Sequence, residues 1–150
     1  MIKVRGSYTN LNNRDNWVAI IGSRKASEEE RIMARHLASI CITKGKIVVS
    51  GLAEGIDTEA HKGAIQSGGR TIAVVNTTPE QDVYPKSNVV LGADILLNGS
   101  IIYPYSTIPK YQKGFSVFQQ RLIERDLLVA YLCPTIIVVK KESSTIVGGT

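Results

Sequence analysis

Two glycine-bearing loops, each set directly behind an apolar run, constrain this chain more than any other feature. The first is Val18-Ala19-Ile20-Ile21 followed by Gly22-Ser23-Arg24; the second is Ile47-Val48-Val49-Ser50 followed by Gly51-Leu52-Ala53-Glu54-Gly55-Ile56-Asp57. Short Val- and Ile-rich runs without alternating polarity are the mark of strands buried on both faces. A run that ends on glycine and opens a helical pattern reads as a parallel strand followed by its crossover helix. Ligands of such sheets bind outside the carboxyl ends of the strands, where helix N-termini offer free N–H groups and positive dipole to an anion. The chain is therefore expected to bind something that carries phosphate.

The rest of the sequence continues the alternation. Residues 17–21, 46–50, 71–75, 100–103 and 135–139 read as strands. Ser27 with Glu30 forms a capping box behind which Ile32, Met33, Leu37, Ile40 and Cys41 recur at helical spacing, until Gly45 stops the helix. Further helices are expected over 57–66, over 115–132 ahead of Pro134, and as a short piece over 89–97. Strand–helix–strand repetition implies an α/β domain with a mainly parallel sheet and right-handed crossovers. Two loops stand out: 77–87, at a strand's carboxyl end, and 105–114, rich in Tyr, Lys and Pro.

At 150 residues the chain is one domain, 43% apolar and 21% charged, a globular balance rather than a disordered one. No apolar run approaches the ~18 residues of a membrane span, and no signal-peptide core follows Met1, so no membrane partner and a cytosolic location are expected. The net charge of +5 is spread along the chain, which suits a small phosphorylated ligand as well as a nucleic acid. Cys41 and Cys133 read as buried reduced thiols, and His36 and His61 fall on different helices, so no metal site is expected. Gly148-Gly149-Thr150 resembles a helix-opening signal, which suggests that residues 1–150 lack a last helix and strand of the domain.

Gly22-Ser23-Arg24 combines a tight turn, a hydroxyl and a guanidinium, a set suited to phosphate. Ser50, Gly51 and Gly55 make a small-residue loop that would let a ligand approach the backbone. Asp57 can cap the next helix or accept a ribose hydroxyl, and His61, one turn on, can hold Asp57 in place. Neither loop is a GxxxxGK[ST] or a strict GxGxxG, and there is no GxSxG.

Together these segments resemble one family. Val18 to Arg24, Val49 to Asp57 and Ala60-His61-Lys62-Gly63-Ala64, then Thr71 to Val75 and Tyr84-Pro85, are similar to the signature of DNA-processing protein A (DprA, or Smf), with Val4-Arg5-Gly6 as the strand before the core. The resemblance implies a single Rossmann-like three-layer domain of the SLOG superfamily, which also holds the LOG-type phosphoribohydrolases. For DprA it implies single-stranded DNA binding, loading of the recombinase RecA, and dimers. Two segments depart from the family pattern: its glycine-containing third loop is here Asn76-Thr77-Thr78, and its Arg-Asn-Arg is here Arg125-Asp126-Leu127. An acid in a phosphate-tracking groove opposes binding. Residues 144–150 only partly resemble the Pro-Gly-Gly-x-Gly-Thr of the LOG-type hydrolases and lack its proline, so no catalytic residue is assigned.

The expectation is a non-catalytic, cofactor-free domain binding a nucleotide-type ligand through Gly22, Ser23, Arg24, Ser50, Gly51 and Gly55. Arg125 would add charge, Asp57 and Asp126 would accept from ribose or base, and Ser144, Gly148 and Gly149 would close the pocket. The degraded DNA helix points to a sensor or a phage-encoded sponge for a nucleotide-derived immune signal. The alternatives are DprA-like single-stranded DNA binding and LOG-like hydrolysis. Self-association is expected from the resemblance; the apolar stretch 127–132 can serve it, and a buried core helix explains that stretch equally well.

Overall fold

Every residue of the runs 47–50 and 71–74 is buried, as strands covered on both faces require. The computed structural model describes residues 2–108, 116–140 and 144–148. Its elements in chain order are β1 (Lys3–Gly6), β2 (Trp17–Gly22), α1 (Glu28–Thr43), β3 (Ile47–Ser50), α2 (Ile56–Gln66), β4 (Thr71–Val74), a 3-10 turn (Lys86–Asn88), α3 (Val89–Asn98), β5 (Gly99–Tyr103), α4 (Val117–Leu132), β6 (Thr135–Val139) and β7 (Ser144–Gly148).

The strands form one seven-stranded sheet in the order β1-β5-β4-β3-β2-β6-β7. The five inner strands are parallel; β1 on β5 and β7 on β6 are antiparallel edges. The chain steps outward from β2 to β5 and then returns to the other side of β2 with β6. This puts the reversal of strand order, the place where open α/β sheets bind ligands, between β2 and β6. Among the described residues no helix is long and apolar enough to cross a membrane.

Strand alternation divides the core between two faces. Val18, Ile20, Val48, Ile137 and Val139 pack on α1 and α2, and Ala73, Val75 and Ile101 continue that face under Leu91 and Ile95 of α3. Trp17, Ala19, Val49, Ile72, Val74 and Ile136 face the other way, onto Val129 of α4 and onto Cys133. The result is the three-layer Rossmann-like architecture. Cys41 and Cys133 are both buried and unbridged, and burial pushes the Cys133 thiol up to about 12.

The helix starts follow their caps. Ser27 Oγ accepts the Glu30 N–H at 3.2 Å while Glu30 Oε1 accepts the Ser27 N–H at 2.9 Å, closing the expected capping box. Ser116 and Gln119 form the same reciprocal pair, so α4 begins at Val117 rather than at 115. The edge strand β7 was not anticipated as a sheet member, because a residue-by-residue antiparallel return needs no helix to announce it.

Candidate functional site

The carboxyl ends of β2 and β6 part around a cleft of about 580 Å³. Ile21, Gly22, Ser23 and Arg24 line it from β2 and its loop, Val138 from β6, and Ala53 and Asp57 from the loop after β3 and the first turn of α2. Its remaining wall is α4, through Gln119, Leu122, Ile123, Arg125 and Asp126. Ser23, Arg24 and Lys25 are exposed. Ser23 Oγ accepts the Lys25 N–H at 3.0 Å, which tightens the turn. Among the described residues the Arg24 guanidinium has no hydrogen bond or ion pair, so an exposed cation stands at the rim of the cleft.

The second loop is built quite differently: its polar groups are taken up inside the protein. The Gly51 N–H donates to Asp57 Oδ2 at 3.1 Å, and the next N–H, of Leu52, donates to His61 Nε2 at 3.2 Å. Asp57 and His61, one helical turn apart, thus hold two consecutive amides. Thr71 Oγ1 spends its proton on Val48 O, so it can only accept from His61 Nδ1 at 2.8 Å; this fixes a neutral imidazole protonated on Nδ1. Leu52, at φ 61°, is also held through its carbonyl by Asn88 Nδ2 at 2.9 Å. Beneath the loop, Arg125 Nη1 donates to Gly51 O and, at 3.1 Å, to Val74 O, while its Nε donates to Asp126 Oδ1 at 2.9 Å.

Electrostatics follow from that enclosure. Burial pushes the Asp57 carboxyl up to about 6, against the charge of Arg125 and with a contribution from Asp126. Burial, and then the Arg125 charge, push His61 down to about 3. The His61 imidazole is therefore held neutral, while the Asp57 carboxylate takes up a proton more readily than an exposed one would.

This geometry revises several expectations. A Cβ on Gly51 would lie 2.5 Å from Arg125 Cζ, one on Gly22 2.6 Å from Ile56 Cγ1, and one on Gly55, at φ +77°, 2.4 Å from Ser23 O. Protein atoms, not an approaching ligand, fill the space these glycines leave. Gly51 has both backbone groups occupied, and the Ser50 hydroxyl donates to Ile20 O at 2.6 Å inside the sheet. Asp57 does not cap α2; Gly55 holds that position, and His61 supports Leu52 rather than Asp57. Arg125 is 4% exposed and braces β3 to β4.

The α1 N-terminus carries its own Ser27 cap and three acids, so its dipole is already answered. In β7, Ser144 pairs with Val139 at the carboxyl edge, but Gly148 pairs with Thr135 at the opposite edge. Four residues of strand at ~3.3 Å each put it roughly 13 Å too far to close the cleft. Gly149 lies outside the described residues. Of the twelve expected site residues, Gly22, Ser23, Arg24, Asp57, Arg125 and Asp126 meet at the cleft. Gln119, Leu122 and Ile123 were missed, although with Asp126 they mark one helical face at i, i+3, i+4 and i+7. Asn88 carries no such periodic signal.

The family model described as DNA recombination-mediator protein A matches residues 1–147. The chain belongs to this family. DNA processing protein DprA of Streptococcus pneumoniae is 34% identical over 127 residues, covering 83% of this chain and 42% of that protein. The solved structure of the same protein superposes with a TM-score of 0.77 at 30% identity, over 95% of this chain and 47% of the other. DprA of Helicobacter pylori, whose structure gives insight into that protein's unique single-stranded DNA binding mode, superposes at 0.75 with 26% identity, over 91% and 59%. The chain thus spans less than two thirds of these DprA relatives. The resemblance read from Val18 to Arg24 and Val49 to Asp57 is confirmed.

Proposed function

We propose that this chain binds single-stranded DNA along the cleft between the Gly22–Arg24 turn and α4. The observation that carries the reading is Arg24: an exposed guanidinium, without a partner among the described residues, at the rim of a cleft placed where β2 and β6 diverge. An arginine there meets a phosphate bidentately, and Lys25 beside it adds a second exposed charge. Family membership and the likeness to the Helicobacter pylori protein support a DNA strand over the free nucleotide signal that the sequence reading put first. In this reading Gly22 and Ser23 shape the turn, and Gln119 offers an amide from α4. Ser50, Gly51, Gly55 and Arg125 act from beneath by keeping the second loop in place.

The test is fluorescence anisotropy of a labelled 20-mer oligothymidylate titrated across salt. Binding should weaken steeply as salt rises, and Arg24→Ala should cost about tenfold in affinity and reduce the salt slope by about one. No binding at low salt, or binding indifferent to Arg24, overturns the reading.

Capture of a free nucleotide is the second reading, and one observation favours it. Asp57 and Asp126 both line the cleft, where carboxylates would accept from ribose hydroxyls yet repel a phosphodiester backbone. A salt-resistant thermal shift with a mononucleotide, ~2.7 kcal/mol at 100 times its dissociation constant, would select it. Self-association belongs to the same proposal: Ile123, Leu127 and Tyr131 form an exposed stripe on α4 that a second copy would cover. Sedimentation equilibrium of the Leu127→Glu variant against the parent decides this; a monomer in both removes it.

A further inference from the structure

Three of the buried side-chain polar atoms that have no hydrogen-bond partner among the described residues belong to consecutive residues: Asn76 Nδ2, Thr77 Oγ1 and Thr78 Oγ1. Their residues are 4%, 4% and 0% exposed. Isolated cases occur in most folds, but an unmet buried donor is costly, and three in a row form a feature that needs an account. They stand where the chain leaves the sheet, just past the Val75 N–H that donates to Ile102 O, on the carboxyl edge that also carries the cleft.

The triad does not line the cleft itself, but Arg125 and α4 link the two. Arg125 lines the cleft, and its Nη1 donates to Val74 O, two residues before Asn76. Asn76 is next in the series Ile72, Val74, whose members face α4. The first turn of α4 serves both sides: Gln119 lines the cleft, while Phe118 meets Tyr84 of the 75–85 segment edge-on at 4.9 Å. The chemistry of the triad is neutral. One amide and two hydroxyls carry no charge for a phosphate, but a donor–acceptor set of this kind matches the edge of a nucleobase, for which an amide is the usual bidentate reader.

We infer that Asn76, Thr77 and Thr78 form a hydrogen-bonding subsite for a nucleobase edge, linked to the Arg24 cleft, and that they give the site a base preference. The inference rests on the nucleotide-binding reading of that cleft. The base can belong to a DNA strand or to a free nucleotide. The triad is covered by its surroundings, so the segment after β4 must give way as the base enters.

Two measurements on the full chain test this. The first compares anisotropy-derived affinities for dA, dC and dT 12-mers, and calorimetric affinities for the matching mononucleotides, in the parent and in Asn76→Ala, Thr77→Val and Thr78→Val. The parent should separate the bases by about tenfold. The variants should bring the spread below about twofold with the salt slope unchanged. The second is melting without ligand: Thr78→Val replaces an unmet hydroxyl by a methyl group, so its melting temperature should hold or rise while base preference is lost.

Equal affinities for all bases in the parent, or a spread that survives every variant, overturn the inference and leave the DNA reading standing if Arg24→Ala still weakens binding. A fall of several degrees in both threonine variants overturns it too, because the hydroxyls then serve the fold. A base preference seen only with mononucleotides upholds the subsite and removes the DNA strand as its source. No binding by any probe overturns subsite and cleft together.

Discussion

The two glycine loops look alike in sequence and are unlike in space. After β2, Gly22-Ser23-Arg24 ends in exposed side chains and a cation that has no partner among the described residues. After β3, Gly51 to Asp57 is fastened amide by amide to Asp57 and His61, and carbonyl by carbonyl to Arg125 and Asn88. Ser23 is used to close its own turn, but among the described residues the Arg24 guanidinium is left without a partner; the second loop spends its polar groups on the chain. The comparison teaches that a glycine behind a parallel strand does not by itself mark a ligand contact. At Gly51 the neighbour that forbids a side chain is the protein's own guanidinium.

The sharpest way to break this comparison is to remove the fastening. Arg125→Ala leaves the Gly51 and Val74 carbonyls unmet and a void between β3 and β4. It should cost about 3–5 kcal/mol in urea unfolding. A loss under 1 kcal/mol would mean that the second loop holds without it.

Next comes the pH response of the locked loop. His61 binds its proton only near pH 3 in the folded chain and at 6.5 in the unfolded one, so its contribution is full above 6.5 and is lost as pH falls toward 3. Asp57 titrates near 6 folded and 3.8 unfolded, so its contribution is full below 3.8 and is lost as pH rises toward 6. Between about pH 4 and 6 the unfolded chain holds the extra proton on His61 and the folded chain holds it on Asp57; the two slopes oppose each other. Asp57→Asn should therefore expose stability that falls on acidification through this window, relative to the parent. His61→Gln should expose stability that rises, each on the order of 1 kcal/mol per pH unit. Chemical denaturation at pH 4, 5 and 6 reads both, and parallel curves for all three proteins would refute the assignment.

Effects on the open loop should be smaller and purely functional. Arg24→Ala should leave unfolding free energy within about 0.5 kcal/mol of the parent while weakening oligonucleotide binding about tenfold. The smallest expected change is Asp126→Asn. Its side chain is 58% exposed, so removing its charge should improve oligonucleotide affinity by roughly two- to threefold at low salt and by less at high salt. An unchanged affinity would place the strand's backbone away from α4.

Much of this was legible beforehand, and the parts that were not share a cause. The five inner strands and four helices follow from apolar runs, the Ser27–Glu30 box and the stops at Gly45 and Pro134, all local signals. The edge strand β1, with a single half-buried residue, Val4, has little apolar signature of its own and is legible only through the family resemblance of Val4-Arg5-Gly6. The role of Gly51 depends on an arginine 74 positions away, and that of Leu52 on an asparagine 36 away; no local spacing encodes either. Nor could Gly148 be assigned an edge of the sheet before the antiparallel register of β7 was known.

The sequence by itself determined that this is a parallel α/β sheet with glycine turns at its carboxyl edge, because hydrophobic period, caps and turn residues are properties of neighbours in the chain. Only the tertiary structure decided which turn faces outward. That choice depends on which buried donors and acceptors find partners across the fold: Asp57, His61, Asn88 and Arg125 converge on the second loop, and among the described residues none pairs with the Arg24 guanidinium.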